Sequence, residues 1–118
     1  MKTERTYFDY LEDILDAMQK IRGFIQGMDY EQFCQDSKTA FAVVHGLEII
    51  GEASKRVPDF VKDDHPEVPW RTMAGMRDKL IHNYFGTHLA VIWRTISEDL
   101  PTIDPLVRRI IEDSEEVE

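Results

Sequence analysis

Residues 7–28 read YFDYLEDILDAMQKIRGFIQGM. Tyr7, Leu11, Ile14, Leu15, Met18, Ile21, Ile25 and Met28 recur there at spacings of three and four, which makes them one face of an amphipathic helix ending near Gly27. The same period continues outward. Asp29 is placed to cap a short helical turn through Phe33. Ser37 can cap a helix carrying Phe41, Val44, Leu47, Ile50, Ala53 and Val57, which stops before Pro58. Val43 and Ile49 widen its apolar surface beyond one stripe, as expected of a central helix or one at an interface. Residues 58–69, with three prolines, several acids and His65, read as a connecting loop. Pro69 suits the first turn of a helix that Gly86 breaks. His88 to Leu100 forms another, and Asp104-Pro105 starts a last one with Leu106, Val107, Ile110 and Ile111 inward. Strand-like alternation, repeats and glycine-rich phosphate loops are missing from the sequence. The expected fold is all-α, an up-and-down bundle of about five helices in a single domain over residues 1–111. An acidic tail, 112–118, should fray.

The chain has 118 residues, 42% of them hydrophobic, enough for one core and too few for two. Such a domain can complete itself by oligomerising. Lys and Arg number 14 against 23 Asp and Glu, a formal net charge of −9. That surface repels nucleic acid at long range, so RNA binding would need a local positive cleft. The lone cysteine, Cys34, fits a reducing compartment and reads as a small buried residue. No apolar run approaches the ~18–20 residues of a membrane span, and no signal core follows Met1, so a soluble cytoplasmic protein is expected.

The segment Arg77-Asp-Lys-Leu-Ile-His82-Asn-Tyr84 stands apart. On an ideal helix, Trp70, Met73, Ala74, Ile81 and Tyr84 fall within about 60° of Arg77. Arg77 is thus centred on an apolar stripe, where a charge must be paired or line a cleft. One reading is structural, an ion pair with Glu48 or Glu52 of the 37–57 helix. His82 falls about 140° from Arg77, so the two converge only if the helix loosens or a second subunit supplies one of them. By chemical type these residues suit metal-free RNA cleavage. Histidine can serve as base or acid near neutrality. Arginine offers a fixed donor fork to a phosphorane, and a tyrosine hydroxyl can orient phosphate or ribose.

Asp78, Asn83 and Lys79 flank these groups and could orient them or contact phosphate; solvent exposure explains each equally well. Arg71 and Arg94 could add positive charge, although a solvated face is the simpler account of Arg94. His45, Glu48 and Glu52 lie on one helix face, but helical metal sites draw ligands from several helices, so ion pairing is preferred and no metal or cofactor is expected. His65 and His88 read as ordinary polar residues, and Trp70 and Trp93 as packing groups.

Arg77 to Tyr84 matches the R-x-x-x-x-H-x-Y signature of HEPN-domain toxins, and the chain resembles their HepT-like branch. Ile49-Ile-Gly-Glu-Ala53, Pro69-Trp-Arg, Ala74-Gly-Met-Arg77, Tyr84-Phe-Gly and Val91-Ile-Trp93 follow the same branch in order, over about residues 5–111. The resemblance implies a dimer whose two motifs face one cleft. It implies a metal-independent endoribonuclease that leaves a 2′,3′-cyclic phosphate, with Arg77 and His82 catalytic. It further implies a toxin–antitoxin pair with an MNT-type nucleotidyltransferase antitoxin that transfers AMP to Tyr84. Two other readings compete: a non-catalytic nucleotide-binding or interaction partner of a nucleotidyltransferase, which the charge of −9 favours, and a helical dimer with no active site.

Overall fold

The computed structural model describes residues 6–76 and 89–117. Among them there is no strand, and the architecture is the expected all-α bundle. Helix α1 spans Tyr7–Ile25. At its start the Asp9 carboxylate accepts the Thr6 N–H at 2.9 Å. It ends just before Gly27, whose φ of 79° is one that side-chain-bearing residues rarely adopt. Helix α2, Tyr30–Gln35, opens on a reciprocal cap: Asp29 accepts from the Gln32 N–H at 2.8 Å, and Gln32 Oε1 accepts the Asp29 N–H at 2.9 Å.

Helix α3, Ser37–Arg56, is capped by Asp36 rather than Ser37. The Asp36 carboxylate accepts both the backbone N–H of Thr39 at 3.0 Å and its hydroxyl at 2.8 Å. Those bonds hold the Asp36 carboxyl below its ordinary value, and Ser37 becomes the first helical residue. The stretch 58–69 is likewise more ordered than a loop. Helix α4, Asp59–Asp64, starts behind Pro58 and inserts Val61 into the core. Helix α5, Trp70–Ala74, follows Pro69 and is shorter than the periodicity suggested.

Helix α6, Leu89–Arg94, passes through one π-helical turn, Thr95–Asp99, directly into α7, Leu100–Val117. The expected break before Asp104 does not occur, and α7 runs into the segment expected to fray. Pro101 and Pro105 have no N–H to donate to the preceding turn. The wider π turn takes the Leu100 N–H to the Thr95 carbonyl. Hydroxyls of Thr95, Ser97 and Thr102 donate to the carbonyls of Val91, Trp93 and Glu98. Asp104 is not a cap. It is buried in mid-helix and held by Arg108 at 3.1 Å and by Arg22 of α1 at 3.4 Å.

The core joins Leu11, Ile14, Met18 and Ile21 of α1 to Val43, Leu47 and Ile50 of α3, with Phe33, Met73, Ile96 and Val107 closing around them. Helices α1 and α3 run antiparallel: Tyr10 lines a cleft with Arg56, and Phe24 lines one with Ala42. They approach closely at Gly46. A Cβ there would lie 2.8 Å from Ile21 Cδ1 and 2.9 Å from Cγ1. Cys34, expected inside, is exposed, because the short α2 turns Phe33 inward and its neighbour out.

Gly46→Val overpacks the α1–α3 contact and costs about 1–3 kcal/mol in denaturant unfolding. Gly23→Ala, with nothing within 4 Å of the added methyl, is neutral or stabilises by up to ~1 kcal/mol. Asp36→Ala lowers the melting temperature at pH 7. Because the folded-state carboxyl is lowered, its contribution is present above the ordinary value of 3.8 and is lost as pH falls through the folded-state value. The melting difference between Asp36→Ala and the parent should therefore narrow in strong acid.

Candidate active site

Arg77, Asp78, Lys79, His82, Asn83, Tyr84 and His88 lie outside the described residues, and with them the expected pairing of Arg77 to Glu48 or Glu52. The structure does define both ends of that segment. On the entry side, residues 65–70 fold tightly. The Trp70 indole Nε1–H donates to the His65 carbonyl at 3.0 Å, and the Val68 N–H reaches the same oxygen at 3.2 Å. His65 Nδ1 is 3.3 Å from Glu67. Trp70 is thus a buried anchor with its polar edge satisfied, the packing role expected of it.

Gly75 closes α5 with φ −80° and ψ −7°, still in the right-handed helical region, and its N–H donates to the Arg71 carbonyl at 3.0 Å. Met73 and Met76 are both buried. Met76 lies about 60° of helix from Met73, so one helical face carries both.

On the exit side, Ile92 is buried and Trp93 is half-buried against Phe33, with ring centroids 5.2 Å apart. Tyr30 stands 6.3 Å from the same indole. A hydrogen bond with Cys34 raises the Tyr30 hydroxyl above its ordinary value of 10.0. Arg71 and Arg94 are both exposed.

On α3, Glu48 and Glu52 are partly buried and His45 is exposed. They share a cleft of about 500 Å³ with Tyr10, Asp13 and Arg56. Glu52 lies 3.9 Å from Arg56, one helical turn on. Both groups are well hydrated, so the pair contributes at most about 1 kcal/mol. Among the described residues, no three His, Cys, Asp or Glu side chains come together as a metal site would require. Among the described residues the cleft holds the carboxylates of Asp13, Glu48 and Glu52 and the guanidinium of Arg56.

Sequence periodicity missed the buried Asp104 with Arg22 and Arg108. Asp-Pro reads as a helix start, and a cross-helix partner 82 residues away leaves no local signal. Also among the described residues, no helix is long and apolar enough to cross a membrane.

Comparison with known proteins bears on the remainder. The family model for "Ribonuclease HepT-like" matches residues 14–110, a span that includes Arg77 to Tyr84. "Probable ribonuclease HepT" of Thermococcus cleftensis is 53% identical over 100 residues, covering 85% of this chain and 91% of that protein. A "Putative RNase" of Methanocaldococcus jannaschii is 42% identical over 107 residues, 91% of this chain and 92% of its own. Another "Putative RNase", from Caldanaerobacter subterraneus, is 42% identical over 112 residues, 95% of this chain and 97% of its own. Comparison with solved structures gives no significant match. With most of its length, including the Arg-to-Tyr segment, inside one family model, the chain belongs to the ribonuclease HepT-like family.

Proposed function

We propose that the protein is a metal-independent endoribonuclease and the toxin of a type II toxin–antitoxin pair. The observation that carries this is the family match across residues 14–110, with an intact Arg77, His82 and Tyr84 within it. In the proposed reaction, the ribose 2′-OH attacks the adjacent phosphorus and the bond from phosphorus to the 5′-oxygen breaks. The products are a 2′,3′-cyclic phosphate and a 5′-hydroxyl. His82 takes the 2′-OH proton or delivers one to the leaving oxygen. Arg77 holds the phosphorane charge with its donor fork. Tyr84 orients the phosphate, and Asp78, Lys79 and Asn83 stand beside it in sequence.

The angle of about 140° between Arg77 and His82 on a regular helix supports a site assembled from two copies of the segment. A protein of net charge −9 gains little RNA affinity from its overall field. Binding therefore rests on local groups near the motif. Regulation by a nucleotidyltransferase antitoxin fits the same residues. AMP on Tyr84 adds bulk and a negative charge where the RNA phosphate binds, which blocks the site. The net charge also favours a second reading, a non-catalytic partner of a nucleotidyltransferase, and the same assay separates the two.

Purified protein should cleave single-stranded RNA in the presence of a chelator and leave cyclic-phosphate ends. His82→Ala and Arg77→Ala should each lose at least about 100-fold in rate, the usual scale for a positioned acid–base or charge-stabilising group. Equal activity in all three proteins would remove the proposed roles. After incubation with ATP and an MNT-type nucleotidyltransferase, intact mass should rise by AMP in the parent and not in Tyr84→Phe, with cleavage falling in step. A mass gain in Tyr84→Phe would place the modification elsewhere.

A further inference from the structure

A cleft of about 660 Å³ opens between α1 and the π turn that joins α6 to α7, a volume typical of small-molecule sites. Its apolar lining is aliphatic and thioether, from Met18, Ile21, Ile25, Ile96 and Leu100, with the half-buried Trp93 beside them. The π turn contributes Ile96 and Ser97, and turns of this kind recur at functional sites. On the α1 side Gly23 lines the cleft, and a Cβ built there would meet nothing within 4 Å. Packing therefore does not require this glycine, and glycine is the poorest helix former after proline. Its effect here is to leave the cleft open.

The charge at the cleft has one sign. Among the described residues its lining includes a single ionised side chain, Arg22, and no carboxylate, in a chain of net charge −9. Arg22 reaches Asp104 Oδ2 at 3.4 Å. Asp104 is already held by Arg108, which donates to both of its oxygens at 3.1 and 3.4 Å. Two guanidinium groups thus share one carboxylate, and the cluster keeps a surplus of one positive charge. The Arg22 side chain is 63% exposed, so its remaining N–H donors can meet a ligand. The exposed amides of Gln19 and Gln26 and the Ser97 hydroxyl add polar groups around it.

We propose that this cleft binds a small amphipathic carboxylate. Its apolar body lies on Met18, Ile25 and Leu100, and its carboxylate meets the N–H groups of Arg22 that Asp104 does not engage. A surplus of one charge matches a monoanion better than a phosphate monoester, which carries close to two at neutral pH. A nucleic-acid strand, with a charge at every phosphate, would find one cation in this cleft. The proposal is independent of the ribonuclease reading.

The test uses the full chain with decanoate, decylamine and acetate as probes, and binding is read by calorimetry. The net charge of −9 favours the amine everywhere else on the molecule, so a preference for the anion reports the cleft. Decanoate should bind at one site per chain, at least tenfold more tightly than decylamine or acetate. Arg22→Gln should weaken it at least tenfold. Gly23→Leu should weaken it as much by filling the cleft, with a melting temperature unchanged or raised, which keeps the test open if Arg22→Gln melts early. Arg109→Gln removes a guanidinium outside the cleft and should leave binding unchanged. No decanoate binding, binding no tighter than that of decylamine, or equal losses in Arg22→Gln and Arg109→Gln would overturn the proposal. So would full decanoate affinity in Gly23→Leu. Binding of an acidic Leu/Glu helical peptide without binding of decanoate assigns the cleft to a protein segment and overturns it equally.

Discussion

The contact between α1 and α3 at Gly46 sets the rest of the structure. Ile21 fills the space that a Cβ would need, and Ala17 faces the same gap. This close antiparallel approach buries Leu11, Ile14, Met18 and Ile21 against Val43, Leu47 and Ile50. Each large aliphatic side chain so buried is worth about 1.5–3 kcal/mol. The short helices cannot supply that. Helix α5 has five residues and α2 has six, too few to persist without a surface to dock on. They become ordered because α1 and α3 give Phe33, Trp70 and Met73 somewhere to pack. Helix α5 precedes the candidate catalytic segment and α6 follows it.

Charge divides the molecule into regions with different prospects. Asp104 shows what a buried acid needs here: Arg108 and Arg22 both reach it, one from the same helix and one across the bundle. The α1–α3 face is the opposite case. Among the described residues, Asp13, Glu48 and Glu52 share its cleft with Arg56 at the surface. For a member of a ribonuclease family this matters. Attraction of the polyanion is left to a small number of groups, and Arg77 with Lys79 is the sequence's main local supply beside His82.

The long-period features were legible in the sequence and the short-range ones less so. Helix α1 was readable because eight apolar residues keep one phase over five turns, and the Asp29 turn because a cap and its partner sit three residues apart. The choice of Asp36 over Ser37 was not, since both are good caps and the Thr39 hydroxyl, donating to the same carboxylate, decides between them. The 58–69 stretch read as a loop from its prolines, yet Pro58 and Pro69 precede helices, where a missing N–H costs nothing. Asp104-Pro105 misled for the mirror reason. Proline usually marks a boundary, but the helix passes through a π turn and runs on through the proline-bearing stretch. The site residues themselves were legible by chemical type and by their match to a family signature, a kind of information that periodicity does not contain.

The stripe that places Arg77 among Trp70, Met73 and Ala74 assumes a helix of constant phase. Through Gly75 the backbone stays in the right-handed helical region, and Met73 and Met76 are buried three residues apart, as one helical face requires. The separation of Arg77 from His82 is untouched, because it depends only on the five residues between them. A site that needs both groups at one phosphate still requires a departure from regular helix or a second copy of the segment.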